Sequence, residues 1–79
     1  MKNIFVTGGS GSIGSELSNQ LSLDNKVIVI GHSEGGIFEM KNIIPEIGNI
    51  RDYFRMEELF EKYRPDVVFH TAAYKHISS

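Results

Sequence analysis

The stretch Thr7-Gly8-Gly9-Ser10-Gly11-Ser12-Ile13-Gly14 constrains this chain more than any other. Gly8, Gly11 and Gly14 satisfy G-x-x-G-x-x-G, and Gly9, Gly11 and Gly14 satisfy G-x-G-x-x-G. Such glycines have mechanical meaning only between a strand and a helix, where they allow a tight turn, a close backbone approach and close helix packing. Both flanks are present. Ile4-Phe5-Val6 is a continuous apolar run, the mark of a strand covered on both faces. Ile13, Leu17 and Leu21 recur every fourth residue among Ser15, Glu16, Ser18, Asn19 and Gln20, which predicts a helix of about three turns with one apolar stripe. Asp24-Asn25 stops it, and Val27-Ile28-Val29-Ile30 reads as a second doubly covered strand.

The alternation continues. Ile37, Phe38 and Met40 suggest a short helix between Gly35-Gly36 and Asn42. Ile43, Ile44, Ile47 and Ile50 read as a third strand, which Pro45 confines to a sheet edge because it lacks an N–H. Asp52 is placed to cap a helix with Met56, Leu59, Phe60 and Tyr63 on its core face and Glu57, Glu58, Glu61 and Lys62 toward water. Arg64-Pro65-Asp66 ends that helix, and Val67-Val68-Phe69 forms a fourth strand running into His70-Thr71-Ala72-Ala73. Parallel strands need right-handed crossovers, so this order predicts an α/β fold of strand order 3-2-1-4. The expectation is one half of a Rossmann-type parallel sheet (β-α-β-α-β-α-β), truncated after the fourth strand, with residues 1–79 as a single unit.

At 79 residues, 41% hydrophobic and 23% charged, the chain is globular and is one small domain or part of one. A net charge of -2 disfavours nucleic acid as a partner. The absence of cysteine removes disulfides and thiolate metal sites. His70 and His76 lie six positions apart across a strand end, a spacing that suggests no metal site. No apolar run approaches the ~20 residues of a membrane span, and Met1-Lys2-Asn3 leads straight into a strand without a signal-peptide pattern. The expectation is a cytoplasmic protein with no membrane insertion.

In a strand-glycine-helix unit, free N–H groups and the positive dipole end receive a pyrophosphate. A P-loop is disfavoured because Ser15-Glu16, not Lys-Ser or Lys-Thr, follows Gly14. The end of the second strand, where an acidic residue often takes ribose hydroxyls, holds Gly31. Without a carboxylate to repel a 2'-phosphate, and with His32 and Ser33 as donors, NADP is at least as well suited as NAD.

Several segments together resemble one family: Thr7 to Leu17, His32-Ser33-Glu34, Gly48-Asn49-Ile50-Arg51-Asp52, Arg64 to His70, and Ala72-Ala73-Tyr74-Lys75-His76. They are similar to the N-terminal segment of bacterial polysaccharide-biosynthesis nucleotide-sugar dehydratases. These are extended short-chain dehydrogenase/reductase enzymes, typified by UDP-N-acetylglucosamine 4,6-dehydratase. The resemblance covers essentially the whole chain. It implies NAD(P) that takes a hydride from C4 of the sugar, permits loss of water across C5 and C6, and returns the hydride. It further implies that Gly8, Gly11, Ser12, Ile13 and Gly14 hold the pyrophosphate, and that His32, Ser33 and Glu34 hold the adenosine ribose. By the same resemblance Asn49 and Ile50 flank the adenine, Thr71, Ala72 and Ala73 line the nicotinamide side, and Lys75 reaches cofactor or sugar nucleotide. The family usually has Gly-Asp-Ile or Gly-Asp-Val where this chain has Gly48-Asn49-Ile50.

The superfamily's acid-base pair is Y-x-x-x-K, and no tyrosine here precedes a lysine by four: Tyr53 leads to Glu57, Tyr63 to Val67 and Tyr74 to Ser78. The dehydratases' Thr-Asp-Lys segment is also missing. No catalytic residue is therefore assigned, and whether the chain is itself an enzyme stays open. The expected function is the NAD(P)-binding portion of a nucleotide-sugar 4,6-dehydratase, with a UDP-sugar as substrate of the full-length enzyme. The alternative is a self-standing, non-catalytic nucleotide-binding or interaction module. An exposed fourth strand also predicts self-association.

Overall fold

A computed structural model describes residues 1–8, 12–31 and 42–71, with the side chains of Ser12 and Ile13 left out. Its elements are β1 (Asn3–Thr7), α1 (Ser12–Leu21), β2 (Lys26–Gly31), β3 (Ile43–Ile47), α2 (Tyr53–Tyr63) and β4 (Val67–His70). The strands form a parallel four-stranded sheet of order β3-β2-β1-β4, as the alternation predicts. The short helix expected between Gly35-Gly36 and Asn42 lies outside the described residues.

β1 and β2 occupy the middle, and their apolar runs are buried on both faces. Because side chains alternate along a strand, Ile4 and Val6 join Val27, Val29 and Ile43 in one cluster, against which Leu21 of α1 packs. Phe5 points the other way and joins Ile28, Ile30 and Leu59 of α2. The helices thus cover opposite faces, as a sheet whose strand order reverses beside β1 requires.

α1 seats on small residues rather than on its leucines alone: Gly14, Ser18 and Ser22 are buried, while Leu17 and Leu21 are half-buried. Ser18 makes this possible by donating its hydroxyl to Gly14 O at 2.7 Å. Asn25 closes the helix through its backbone and side-chain amides, both donating to Leu21 O.

Pro45 lies in β3 at the sheet edge, opposite Val29, where its missing donor is tolerated. The third strand is shorter than expected. It ends at Ile47, and Ile50 sits exposed in the turn that follows. Asp52 caps α2 by accepting from Arg55 N at 3.1 Å, and Arg64 ends it in the left-handed region at φ 47°. Leu59 is fully buried and Met56 and Tyr63 pack against the same cluster, whereas Phe60, expected in the core, is 44% exposed. Its ring packs edge-to-face with Phe5, centroids 4.9 Å apart, yet stays partly open to solvent. Asp66 fixes the start of β4 beside β1, its N–H donating to Asn3 O while its carboxylate accepts from Asn3 N.

Candidate functional site

Parallel pairing brings the C-terminal ends of all the strands to one edge of the sheet. β1 stands where the strand order turns back, with the first crossover leaving toward β2 and β4 arriving on the other side. Open parallel sheets bind ligands at such switch points, outside the carboxyl ends of the strands.

Gly8 leaves β1 with φ 74°, the left-handed region that disfavours any side chain, and its N–H donates to Ile30 O at 3.1 Å. Gly8 thereby stays tethered to β2 at the end of β1. α1 then opens at Ser12 with no acidic side chain in its first turn, so the positive dipole end there is not neutralised from within.

On the β4 side, Thr71 is buried and donates its hydroxyl to Thr7 O at 2.7 Å, which places it beside the Thr7-Gly8 peptide. The Thr7 hydroxyl in turn meets His70 Nδ1 and lies 3.4 Å from Phe69 O. In the sequence Thr7 marks the start of the glycine stretch and His70 the end of the last apolar run, and neither is a candidate binding residue there.

At the far end, Gly48 donates its N–H to Gly31 O at 2.9 Å, extending the β2–β3 pairing by one step. Asn49 uses its side-chain carbonyl to accept from Arg51 N at 2.9 Å and its backbone carbonyl to accept from Asp52 N at 2.8 Å. The residue expected beside adenine is therefore also the pivot of the turn into α2. Arg55 and Glu46 brace this turn. Glu46 accepts from Arg55 Nη2 at 3.0 Å, from Lys62 Nζ at 3.3 Å and from the Tyr63 hydroxyl. Burial pushes the Glu46 carboxyl up, but the bonds from Tyr63 and Lys62 and the charges of Lys62 and Arg55 outweigh it and hold it below its ordinary value.

The structure thus brings Gly8 and Thr71 together at the switch point, sets buried Gly14 on the first turns of α1, and places Asn49 and Ile50 after β3 at the same edge. Ser12 and Ile13 are placed by backbone alone, as the opening of α1. Gly11, His32, Ser33, Glu34, Ala72, Ala73 and Lys75 lie outside the described residues. Among the described residues no cluster of acidic and histidine side chains is arranged to hold a metal ion.

Against known protein families, residues 4–79 match the one described as polysaccharide biosynthesis protein. This chain belongs to that family. Among the relatives of this polysaccharide biosynthesis family member, the probable polysaccharide biosynthesis protein EpsC of Bacillus subtilis is 38% identical over 89 residues, covering 96% of this chain and 15% of EpsC. A UDP-N-acetylglucosamine 4,6-dehydratase (inverting) of Campylobacter jejuni is 35% identical over 85 residues, covering 96% of this chain and 25% of the enzyme. The Bordetella bronchiseptica enzyme WbmH, solved in complex with NAD+, matches with a TM-score of 0.79 at 30% identity, over 90% of this chain and 25% of its own. The family member therefore spans between 15% and 25% of the length of these proteins. Polysaccharide biosynthesis proteins and nucleotide-sugar dehydratases both stand among its relatives, which bears out the resemblance read from its motifs. Its sheet bears out the Rossmann-type expectation.

Proposed function

We propose that this chain is the N-terminal NAD(P)-binding portion of a nucleotide-sugar 4,6-dehydratase of the UDP-N-acetylglucosamine type, acting in polysaccharide biosynthesis in the cytoplasm. The observation that carries the reading is the left-handed Gly8 at the end of the central strand, beside buried Thr71 at the point where the strand order reverses. The relatives lend the chemistry its direction, since one is named a UDP-N-acetylglucosamine 4,6-dehydratase and a solved neighbour holds NAD+.

The residues present suit the cofactor. A turn free of side chains at Gly8 leads to the α1 N-terminus, where the backbone of Gly11, Ser12, Ile13 and Gly14 would receive the pyrophosphate. Gly31 closes β2 without a carboxylate, leaving His32, Ser33 and Glu34 to meet the adenosine ribose, so both NAD and NADP fit. Exposed Ile50 offers an apolar face to the adenine, and Asn49 a carbonyl to its amino group. Thr71, Ala72 and Ala73 would border the nicotinamide, with Lys75 toward the sugar nucleotide. A bound NAD(P) supplies the hydride acceptor and donor at C4 of the sugar. This chain's own part is to hold and orient it. The proton-transfer groups belong to the remainder of the full-length enzyme, because neither Y-x-x-x-K nor Thr-Asp-Lys occurs here.

The test is product formation from UDP-N-acetylglucosamine. The full-length protein is expected to yield the 4-keto-6-deoxy sugar nucleotide, and the 79-residue chain alone to yield none. One positioned proton-transfer group contributes about 10² to 10⁴-fold, and the isolated chain carries neither motif, so its rate should fall by at least that factor. Product from the isolated chain, or none from the full-length protein, would overturn the reading.

A further inference from the structure

We infer that Arg55 is a positioning residue for adenine recognition, pinning the end of β3 to the first turn of α2 and so fixing the turn that presents Asn49. The inference rests on the proposed function, which sets Asn49 and Ile50 against the adenine.

Among the described residues β3 is one of the two edge strands, and Pro45 has no N–H with which to pair outward. Lys62 and Tyr63 also bond Glu46, but the Arg55 guanidinium alone reaches both Glu46 and the backbone of Ile47 among the described side chains. Arg55 Nε donates to Ile47 O at 2.9 Å, Nη2 to Glu46 Oε1 at 3.0 Å and Nη1 to Glu58 Oε1 at 2.8 Å, while its backbone N–H donates to the Asp52 cap. The last two residues of β3 and the first turns of α2 are thereby locked to one planar group. Its stem lies directly over the turn: a Cβ on Gly48 would stand 3.2 Å from Arg55 Cγ and 3.1 Å from Met56 Cε.

Within the turn so held, Arg51 N donates to Asn49 Oδ1. Only the carbonyl side of the amide accepts a hydrogen bond, so this contact sets which way Asn49 faces and leaves a second lone pair for an incoming donor. The 6-amino group of adenine is such a donor. Exposed ion pairs contribute little to stability, so the consequence of this fork is where the turn sits more than how firmly the protein folds.

The probe is the ratio of affinities for NAD and for nicotinamide hypoxanthine dinucleotide, which carries a carbonyl where NAD has the 6-amino group. It is measured in the full-length protein, alongside the thermal midpoint. The wild type is expected to favour NAD by about tenfold, the worth of one well-made hydrogen bond. Asn49→Ala should abolish the preference. Arg55→Lys, which keeps the charge but not the fork, should reduce it to about threefold or less. Glu46→Gln, which loosens the fork from the β3 side, should lower it too, and serves if the lysine variant folds poorly. A purely structural role would lower the thermal midpoint and both affinities together while leaving the ratio at its wild-type value. That result in a folded variant, with Asn49→Ala still abolishing the preference, would overturn the inference and leave the site assignment standing. A wild type without preference, or an Asn49→Ala variant that retains it, would remove the adenine assignment and the inference with it.

Discussion

Gly8 and Glu46 show how single residues shape this site from opposite ends. At φ 74° a side chain on Gly8 meets the backbone carbonyl, so Gly8→Ala should cost about 1–2 kcal/mol in urea unfolding. An unchanged midpoint would mean that the turn does not need the left-handed conformation. Glu46 gives a pH signature. Its folded carboxyl lies below the ordinary 4.5, so its contribution is fully present above that value and is lost as pH falls through the lowered one. Unfolding curves taken from about pH 6 down to about pH 3 should lose about 0.5–1 kcal/mol through this group. Glu46→Gln should be less stable near neutrality and flatter over that window. A variant with the wild-type slope would assign the acid sensitivity elsewhere.

β4 is the element whose sequence and surroundings agree least. Val68 and Phe69 are 47% and 37% exposed, and among the described residues β4 pairs with β1 alone. An apolar strand with an open edge and no charge within Val67–Phe69 is a template for pairing with another chain. The isolated 79-residue chain is therefore expected to self-associate, and Val68→Lys to shift it toward monomer in sedimentation velocity. A monodisperse wild-type monomer at high micromolar concentration, with a cooperative thermal transition, would contradict this. The same element shows what the sequence makes legible. Continuous apolar runs identified β1, β2 and β4, Pro45 put β3 at the edge, and Asp52 marked the start of α2, because each signal is local. Phe60 was misjudged because helical spacing reports which face a residue is on, not whether the sheet extends far enough to cover it. Ser18 and Ser22 were missed as core because a polar side chain that bonds its own helix carbonyl looks solvent-exposed in sequence. The glycines, Asn49 and Thr71 are candidates through spacing and resemblance, and the fold sets Gly8, Thr71 and Asn49 at the carboxyl edge of the sheet. The Glu46-Arg55 brace was not, since it joins a strand to a helix through side chains that read individually as surface charges.

At the scale of the whole molecule, the fully buried side chains of β1 and β2 form the centre from which everything else is hung. Phe5, Val6, Val27 and Ile28 are wholly shielded, while the exposed large apolar side chains of the described residues lie on α2, the turns, the end of β3, β4 and the N-terminus. A small chain hides only about 60 to 65% of its unfolded surface, and this one concentrates that burial where it supports the ends of β1 and β2. The best-buried strands therefore carry the start of the turn after β1, in a family member spanning 15% of EpsC and 25% of the Campylobacter dehydratase. The proposed function requires this turn to receive the pyrophosphate of NAD(P). Its most direct test is a titration of NAD and NADP into the full-length wild-type protein and its Gly11→Val variant, with thermal midpoints as the control for folding. Saturable binding of at least one dinucleotide by the wild type is expected, with a loss of about tenfold or more in the folded variant, because a branched side chain would block close approach of the phosphates. Equal affinity in the two proteins would contradict it.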